Sequence, residues 1–432
     1  MAISSSLYTA ASGLQSHGDG ISIVGDNIAN VSTIGFKASR AVFSDVLGGT
    51  GPNGTRMGSG VRLGGLITDL KQGTFLTTGG SLDLAISGSG FFVMRNNSAA
   101  HFYTRDGRFH LDNTGHLVNS NGLRVQGYPI SPEGLAAVAP TDLLLGGAQN
   151  PPNPTSRLDV GVNLDSMATP PANPWPAPPF SDSVLLNDAS NFASSITVYD
   201  SLGAHHRLDV YFRKTGANSW EWHTLAAASE VSAPAALPGA VLTEIGNGTL
   251  TFNPDGSLNS AVGSIDVTFG SANPQSITPS FGDPTAGGGT GFAGTTQFAG
   301  ASDINAIDQD GFASGALSEL SVDEDGVILG RFSNARERPI ARLALATFQC
   351  EQALRRAGDA LFVGSVESGQ PLIVPANEGG RGMICAGNLE ASNVDMGNEL
   401  VTLIAYQRAF QANVRTITTA DEMLTELAHL KR

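Results

Sequence analysis

Apolar residues at the start of the chain recur at alternating intervals of three and four residues. This spacing places them along one side of a helix and predicts one partner helix. We call the row the N-terminal seam, and its positions are Ile3, Leu7, Ala10, Leu14, His17, Ile21, Val24 and Ile28. Four glycines interrupt the row, and each costs about 1 kcal/mol relative to alanine inside a helix. The helix is therefore expected to form only when packed, and the HGDG segment at 17–20 leaves its continuity open.

The far end of the chain repeats this spacing. We call this second row the C-terminal seam, and its positions are Met396, Leu400, Leu403, Gln407, Phe410, Val414, Ile417, Asp421 and Leu424. Ser392 and Asp395 stand before it at the spacing of a capping box, which marks a helix start. The two rows predict α-helical coiled-coil segments at the N and C termini that pair together.

The outward positions of both predicted helices are small or carry amides, as at Ser4, Ser12, Gln411 and Asn413. A polar face with few charges suits burial against further copies of the same chain. The alternative is that both segments are ordinary amphipathic helices covering a globular core. The pattern favours a self-assembling protein.

The pattern changes after the N-terminal seam. The stretch GDNIANVSTIGF at 25–36 is rich in residues that end helices, so we predict that the helix stops there and an irregular connector follows. From about Val61 the chain shows strands and turns, with hairpins at 108–118, 196–212, 250–260 and 320–332. The fold class is therefore multidomain: mainly β outer domains built from hairpins, barrel-like or sandwich-like, between helical termini.

Composition shifts suggest the domain boundaries. A Pro-rich break at 150–156 opens a segment dense in Ala, Pro, Ser and Thr, and a Gly-rich stretch near 300 closes it. Because strand patterns resume on both sides, we predict an inserted outer β domain. The expected domains are 1–25 with 390–432 (helical), 26–72 with 379–389 (connector), 73–154 with 304–378 (inner β domain) and 155–303 (outer β domain).

Charge and length exclude several functional classes. The 432 residues carry a formal net charge of −15, which would repel nucleic acid. No apolar run approaches the roughly 18 residues of a spanning helix, so no membrane insertion is expected. The start of the chain lacks the basic and apolar regions of a cleaved signal peptide. Cys350 and Cys385 are the only cysteines and are expected to be inert rather than bridged.

The residue patterns that could indicate a metal site, a cofactor site or a catalytic site are weak throughout the sequence. The acidic turn at 323–326 lacks the ligand order of a calcium loop. His205 and His206 would point to opposite faces of a strand and cannot bind one ion. GTGFAG at 289–294 matches a dinucleotide motif, but no strand or helix pattern flanks it, so a loop is expected. Since no catalytic arrangement can be assembled, we predict no enzyme activity, no cofactor and no metal site.

Several motifs resemble those of the rod and hook axial proteins of the bacterial flagellum. The segment at 25–47 is similar to the family's N-I-A-N followed by G-F-K, 81–94 to its L-D-x-A-I-x-G-x-G-F-F, and 389–401 to its L-E-x-S-N-V. The matching residues are Asn27, Ile28, Ala29, Asn30, Gly35, Phe36, Lys37, Leu82, Asp83, Gly88, Gly90, Phe91, Phe92, Leu389, Glu390, Ser392, Asn393 and Val394. The segment at 196–222 is similar to the outer domain of the hook branch, whereas rod members are usually shorter.

This resemblance implies a homopolymer whose terminal helices line a central channel while the β domains face outward. The function implied is that of a curved, flexible tube, a universal joint that passes torque from rod to filament. Implied partners are copies of the chain, the rod, the hook cap, the hook–filament junction proteins and the flagellar type III export apparatus. Family members pass through that apparatus unfolded. Phe43 and Leu47 resemble a short export motif, and the alternative is that both are buried connector residues.

Two other functions remain open at this stage. A distal-rod or hook-junction protein of the same family would build a straight tube and would lack most of the 155–303 domain. A secreted adhesin or carbohydrate-binding protein could use Trp175, Trp220 and Trp222 as exposed stacking platforms. The adhesin hypothesis gives no reason for two matching seams at the chain ends.

Overall fold

Two long helices occupy the ends of the chain and β strands fill most of the sequence between them. The computed structural model describes residues 2–50, 56–181, 183–232 and 239–430. The terminal helices are α1 (Ala2–Ala29) and α3 (Met396–Leu430). This arrangement confirms the predicted fold class of β-rich domains with helical termini.

Helix α1 is continuous through HGDG and ends later than the sequence predicts. It includes Asp26 to Ala29, so the predicted helical range 1–25 is too short. At the end of the helix, Asn30 donates to the Asp26 carbonyl with its backbone N (3.1 Å) and also with its side-chain Nδ2 (2.9 Å), which helps to satisfy a terminal carbonyl. Gly20 is tolerated because a ring carbon of Tyr406 lies only 3.0 Å from the place that a Cβ would take.

The segment predicted as an irregular connector is a long antiparallel hairpin. Its strands are β1 (Ser39–Thr50) and β2 (Arg56–Thr68). The strands satisfy each other's backbone groups, and β2 is also fixed to α1. The Val61 backbone N donates to Ser12 Oγ, and Ser16 Oγ donates to the Val61 carbonyl, each at 3.2 Å. The polar residues of α1 therefore contact this hairpin.

Short strands follow the hairpin and build the first part of a second β region. They are β3 (Phe75–Thr77), β4 (Leu84–Ser87), β5 (Phe91–Arg95), β6 (His101–Thr104), β7 (Phe109–Leu111), β8 (Leu117–Asn119), β9 (Arg124–Pro129) and β10 (Thr141–Asp142). Strands β7 and β8 pair antiparallel, which confirms the predicted hairpin at 108–118.

A separate β unit follows. Its elements are β11 (Gln149–Asn150), β12 (Arg157–Asn163), helix α2 (Ser183–Asp188), β13 (Phe192–Tyr199), β14 (His205–Gly216), β15 (Ser219–Ala227), β16 (Leu242–Phe252), β17 (Leu258–Val267), β18 (Gln275–Ser280) and β19 (Asp303–Gln309). Eight strands form one sheet in the order β13-β14-β15-β16-β17-β18-β12-β19. The hairpins β13–β14 and β16–β17 confirm two predictions.

This unit has a large apolar core. Ile196, Val198, Leu208, Val210 and Phe212 are all buried in it, as the alternation of the sequence predicts. Two tryptophans lie in the same core, Trp220 and Trp222, each with 0% of its surface exposed. The expectation that they are exposed stacking platforms is therefore wrong.

The last strands complete the β region that begins at β3. They are β20 (Gly315–Val322), β21 (Val327–Phe332), β22 (Glu337–Thr347), β23 (Arg355–Gly358), β24 (Leu361–Val363), β25 (Leu372–Pro375), β26 (Met383–Ala386) and β27 (Asn388–Glu390). The main sheet contains the path β20-β21-β22-β9-β5-β6-β24-β23, and the neighbouring β20 and β21 confirm the predicted hairpin at 320–332. Strands β26 and β27 pair with β4 and β3, so the predicted connector at 379–389 is instead part of the β structure.

The chain divides into two compact units. One unit spans 1–148, 317–331 and 337–432, and the other spans 149–316 and 332–336. The second unit is wider than the expected 155–303, because β19 pairs with β12 across the predicted boundary. Strand β11 pairs with the start of β20, which extends the unit past the Pro-rich break on the other side.

Candidate functional site

A buried carboxylate joins three distant segments of the first unit. Glu390, at the end of β27, is fully buried, and its Oε1 accepts hydrogen bonds from Lys37 Nζ at 2.6 Å and from the Gly73 backbone N at 2.9 Å. Its Oε2 accepts a bond from Arg105 Nη1 at 3.1 Å. We call Lys37, Arg105 and Glu390 the junction cluster. The cluster ties the lead-in to β1 and the loop after β6 to the segment that enters α3.

The remaining donors of the cluster bond to backbone carbonyls. Lys37 Nζ donates to the Lys71 carbonyl at 2.6 Å, and Arg105 Nη2 donates to the Gly88 carbonyl at 2.8 Å. Burial lowers the pKa of Lys37 below the usual range of an amine, while the Glu390 carboxylate opposes that shift. Because isolated buried charges are costly, Lys37 and Arg105 both depend on the Glu390 carboxylate.

Two asparagine side chains secure the same junction by imitating backbone pairing. Asn27 Nδ2 donates to the Ser39 carbonyl at 2.8 Å, and its Oδ1 accepts from the Ser39 N at 2.9 Å. Asn393 Oδ1 accepts from the Ala38 N at 2.8 Å, and its Nδ2 donates to the Asp69 carbonyl at 2.7 Å. The end of α1 and the approach to α3 are thus both fixed to the base of the β1–β2 hairpin.

The turn between α1 and β1 is closely packed. Gly35 has φ +69°, and its N donates to the Glu390 carbonyl at 2.8 Å. A Cβ at this position would lie 2.6 Å from the Asp106 backbone N, so only glycine fits. The neighbouring Phe36 is buried under the Arg356 guanidinium, whose carbon lies 4.5 Å from the ring centroid.

The other motif residues of the chain ends lie close to the junction cluster in sequence. Leu389 is buried in β27, Ile28 is half-buried and Ala29 is exposed. Ser392 Oγ accepts a bond from the Val394 N at 3.3 Å, so it forms a local turn rather than a capping box. Asp395 alone caps α3, since its Oδ1 accepts from the Gly397 N at 2.9 Å and from the Asn398 N at 3.2 Å.

The family-motif residues between Leu82 and Phe92 lie next to the junction cluster. Phe91 is buried and lies 5.3 Å from the Arg105 guanidinium carbon, and Phe92 packs edge-on against Phe109. Gly88 and Gly90 both have positive φ. Leu82 and Asp83, at the start of this motif, are both half-buried. The Leu82 carbonyl accepts a hydrogen bond from the Phe109 N, and the Asp83 carboxylate accepts one from Thr78 Oγ1 at 2.6 Å.

The two terminal helices pair antiparallel through glycines. A Cβ added at Gly13 would lie 2.8 Å from Asn413 Oδ1, and one at Gly18 would lie 3.9 Å from the Phe410 ring. The α3 residues that meet these glycines are Tyr406, Phe410 and Asn413; of the predicted row, Phe410 is among them, whereas Gln407 and Val414 are exposed. Asn413, predicted to point outward, instead contacts α1. Glycine allows the close approach that larger seam residues would prevent.

The predicted seams are only partly covered within one chain. On α1, Val24 is buried, whereas Leu7, Leu14 and Ile21 are half-buried, and the side chain of Ile3 lies outside the described residues. On α3, the half-buried positions are Leu403, Phe410 and Ile417, and the exposed positions include Leu400, Val414 and Leu424. Val401 and Ile404 are 68% and 49% exposed on the face turned away from α1. Helix α1 packs against α3, which confirms the predicted partner helix, and it also contacts the hairpin, which the sequence did not predict.

The two residues of the candidate export motif have different environments. Phe43 lies in β1, and its ring centroid is 5.7 Å from that of His17 and 5.8 Å from that of Tyr406. Leu47, later in the same strand, is 56% exposed. In the folded chain, Phe43 therefore serves as an aromatic contact between α1, the hairpin and α3.

Two features are missing from the part of the chain that the structure describes, a metal-binding cluster and a spanning helix. No group of three or more His, Cys, Asp or Glu is placed there to hold a metal ion. No helix among these residues has an apolar stretch long enough to cross a membrane. Cys350 is exposed and Cys385 half-buried, and both are free thiols.

Models of flagellar protein families match four segments of the chain. A model described as "Flagella basal body rod protein" matches 7–37, and "Flagellar hook protein FlgE/F/G D1 domain" matches 85–161. "Flagellar basal body protein FlaE D2 domain" matches 163–312, and "Flagellar basal body rod FlgEFG protein C-terminal" matches 386–430.

Full-length relatives agree with these matches. The flagellar hook protein FlgE of Salmonella typhimurium is 33% identical over 99% of this chain and 100% of its own length. That of Escherichia coli is 34% identical over 98% of this chain and 99% of its own length. The chain belongs to the flagellar hook protein family. The hook protein of Borreliella burgdorferi is also similar, at 34% identity over 99% of both chains.

The family assignment confirms the resemblance and the hook function predicted from the sequence. Among solved structures, the flagellar hook protein FlgE2 of Helicobacter pylori aligns over 73% of this chain and 100% of its own, with a TM-score of 0.48 and 16% identity. The assignment rests on the sequence relatives and not on this alignment.

Four residues that shape the site were not predicted. Arg105 and Arg356 make contacts at the junction, and Tyr406 and Asn413 contact α1. Lys37 was the strongest signal in the sequence for the junction cluster. A motif lysine beside apolar residues needs an acidic partner if its side chain is buried. Glu390 was singled out as a motif residue, but its pairing partners lie too far away in sequence to be inferred.

Proposed function

We propose that copies of this hook-family chain polymerise through their paired terminal helices into a curved, flexible tube, the joint that passes torque from rod to filament. The observation that supports this proposal best is the open face of α3. A helix of 35 residues packs one side against α1 and leaves Val401 and Ile404 largely exposed on the other. Apolar surface left open along a helix is typical of an interaction site.

The helix pair also has the expected character of an assembly element. Its internal contact is made by glycines against Tyr406, Phe410 and Asn413, and the larger seam residues remain half-covered. Such a pair has little cohesion of its own and gains stability when neighbouring copies cover it. Polymerisation would therefore complete a structure that one chain leaves unfinished.

The proposed cellular context follows from the family. The tube would lie outside the cell between rod and filament, and its further partners would be the rod, the hook cap and the hook–filament junction proteins. The chain would reach this place unfolded through the flagellar type III export apparatus, with Phe43 and Leu47 as the candidate export motif. Because Phe43 packs against His17 and Tyr406 in the folded chain, the export apparatus would have to read it before the helices pair. No catalytic step or cofactor is part of this function.

The two alternatives are less consistent with the structure. A straight-tube rod or junction protein would lack most of the outer domain, whereas here the second unit builds an eight-stranded sheet with its own core. An adhesin would need accessible aromatic platforms, but Trp220 and Trp222 are buried and Trp175 stacks on His223 with ring centroids 4.0 Å apart.

The proposal is tested by placing a charge on the open face. Val401→Asp should leave the monomer folded, because the side chain is exposed, but should prevent tube formation by placing a carboxylate in an apolar contact. Val366→Asp is the matched control, since Val366 is fully exposed in a loop of the same unit. Circular dichroism checks the fold, and sedimentation with negative-stain electron microscopy checks assembly. Tubes from Val401→Asp as abundant as those from Val366→Asp would contradict assembly through this face.

A further inference from the structure

Helix α1 carries exposed carboxylates that its own sequence does not neutralise. Asp19 and Asp26 are both exposed and lie seven residues apart, which is about 10.5 Å along a helix. The helix contains no Lys or Arg. Asp19 forms no ion pair with any described residue, and Asp26, which is 55% exposed, contacts Arg356 at 3.4 Å and accepts a hydrogen bond from Asn30 Nδ2 at 3.1 Å. The two carboxylates lie on one stripe of the helix surface.

Helix α3 carries a complementary pair of cations. Arg408 and Arg415 are exposed, and they are also seven residues apart. Neither is within reach of an acidic residue three or four positions away on its own helix, because those positions hold Ile, Ala, Gln and Thr. Within the described ranges neither arginine forms an ion pair. Both point away from the Tyr406, Phe410 and Asn413 row that contacts α1, toward the face of Val401 and Ile404.

These charges match in spacing but cannot meet in one chain. The arginines lie on the far side of α3 from α1, so the α1 carboxylates of the same chain are out of reach. In a polymer in which every copy has the same polarity, the α1 of one copy and the α3 of its neighbour are also antiparallel. We propose that Asp19 and Asp26 of one copy pair with Arg415 and Arg408 of a neighbouring copy. This inference rests on the proposed function, because it needs a homopolymer.

The spacing also fixes a relative height of the two copies. Within one chain Gly13 is level with Asn413 and Gly20 with Tyr406, so Asp19 is level with Gln407. Both ion pairs form together only if the neighbour's α3 is displaced by eight residues, about 12 Å along the axis. Without displacement only one pair, Asp19 with Arg408, would form. The geometry points to the displaced arrangement, because it alone gives both carboxylates an arginine of the neighbouring copy.

The competing partner is the acidic end of a neighbouring α3. Asp421, Glu422 and Glu426 are exposed there and could also attract the arginines. That contact would leave Asp19 without an ion pair and Asp26 with only its Arg356 contact, while the pairing with α1 gives each of the four charges a partner in the neighbouring copy. Reversing the charge of an arginine and of one candidate partner separates pairing with α1 from pairing with the acidic end of α3, because each predicts rescue by a different second substitution.

The experiment uses the full-length chain and measures the critical concentration for polymerisation by sedimentation. Asp19→Arg and Arg415→Asp should each raise it roughly five- to tenfold, since one attraction per contact becomes a repulsion. The double variant Asp19→Arg/Arg415→Asp should return to near the wild-type value. Arg355→Asp is the matched control, an exposed arginine of β23 in the same unit. Asp19→Asn removes the charge without reversing it and should give a smaller increase.

The outcomes separate this proposal from the proposed function. If the wild-type chain polymerises and both single reversals behave like Arg355→Asp, the ion pairs are absent but the polymer stands. Rescue of Asp19→Arg by Arg408→Asp would overturn the displaced arrangement, and rescue of Arg415→Asp by Glu422→Arg would overturn α1 as the partner. If the wild-type chain forms no polymer, the proposed function itself fails.

Discussion

The junction cluster and the helix pair both bring the two ends of the chain together, but they differ in how complete they are. In the cluster, the three side chains are at most 5% exposed, and Lys37 and Arg105 each donate to Glu390 and to nearby carbonyls. In the helix pair, glycines make the contact and Val401 remains 68% exposed. The junction cluster is complete within one chain. The helix pair is expected to be covered completely only when other copies pack against it.

The difference follows from the kinds of group involved. A buried charge without a partner costs several kcal/mol, so an ionic junction must be complete as soon as the chain folds. An exposed apolar side chain costs far less, so a helix face can stay open until a neighbour covers it. A subunit that must fold correctly before it assembles would benefit from ionic contacts that are complete within the chain. It would also benefit from apolar contacts that stay open on the surface that meets other copies.

The largest expected effect comes from breaking the junction cluster. Glu390→Gln keeps the shape of the side chain but leaves Lys37 and Arg105 as buried cations, so the first unit should lose about 3–5 kcal/mol of unfolding free energy. Urea unfolding followed by circular dichroism measures the loss. Glu337→Gln is the control, because Glu337 pairs with Arg331 at the surface and should cost less than about 1 kcal/mol. Equal losses in the two variants would show that the cluster does not hold the ends together.

A smaller loss is expected at the turn that enters the cluster. Gly35→Ala would strain the backbone at φ +69°, which costs about 1–3 kcal/mol, and would also press a Cβ against the Asp106 backbone. Gly122→Ala separates the two effects, because Gly122 has φ +73° with open space around it. Thermal unfolding should therefore show a lower melting temperature for Gly35→Ala than for Gly122→Ala. If the two melting temperatures agree, the packing at Gly35 contributes nothing.

Local patterns in the sequence were enough to predict the hairpins. Strands β13 and β14 were predictable because their core residues alternate along each strand and a turn separates them. The β1–β2 hairpin was missed because its strands mix small, polar and apolar residues without clean alternation. Its order depends on contacts with α1, such as the bonds from Val61 to Ser12 and Ser16.

Contacts between distant parts of the chain could not be predicted from the sequence. Glu390 meets Arg105 across 285 residues and Lys37 across 353. The motif resemblance singled out Lys37 and Glu390 but could not indicate that they touch. The predicted seams match the contact rows only in part for a related reason. The seams were counted on large apolar residues, whereas the closest contacts are made where such residues are absent, at Gly13 and Gly20.

The smallest expected effect is a gain in stability within α1. Gly25 lies in the last turns of the helix with no atom within 4 Å of an added Cβ, so Gly25→Ala should stabilise the helix by about 1 kcal/mol. Gly13→Ala is the matched control, because its Cβ would lie 2.8 Å from Asn413 Oδ1 and should loosen the helix pair. The helical signal of the monomer should rise slightly for the first variant and fall for the second. If both substitutions raise it equally, the close approach at Gly13 does not determine the register, and the helix pair is looser than its glycine contacts imply.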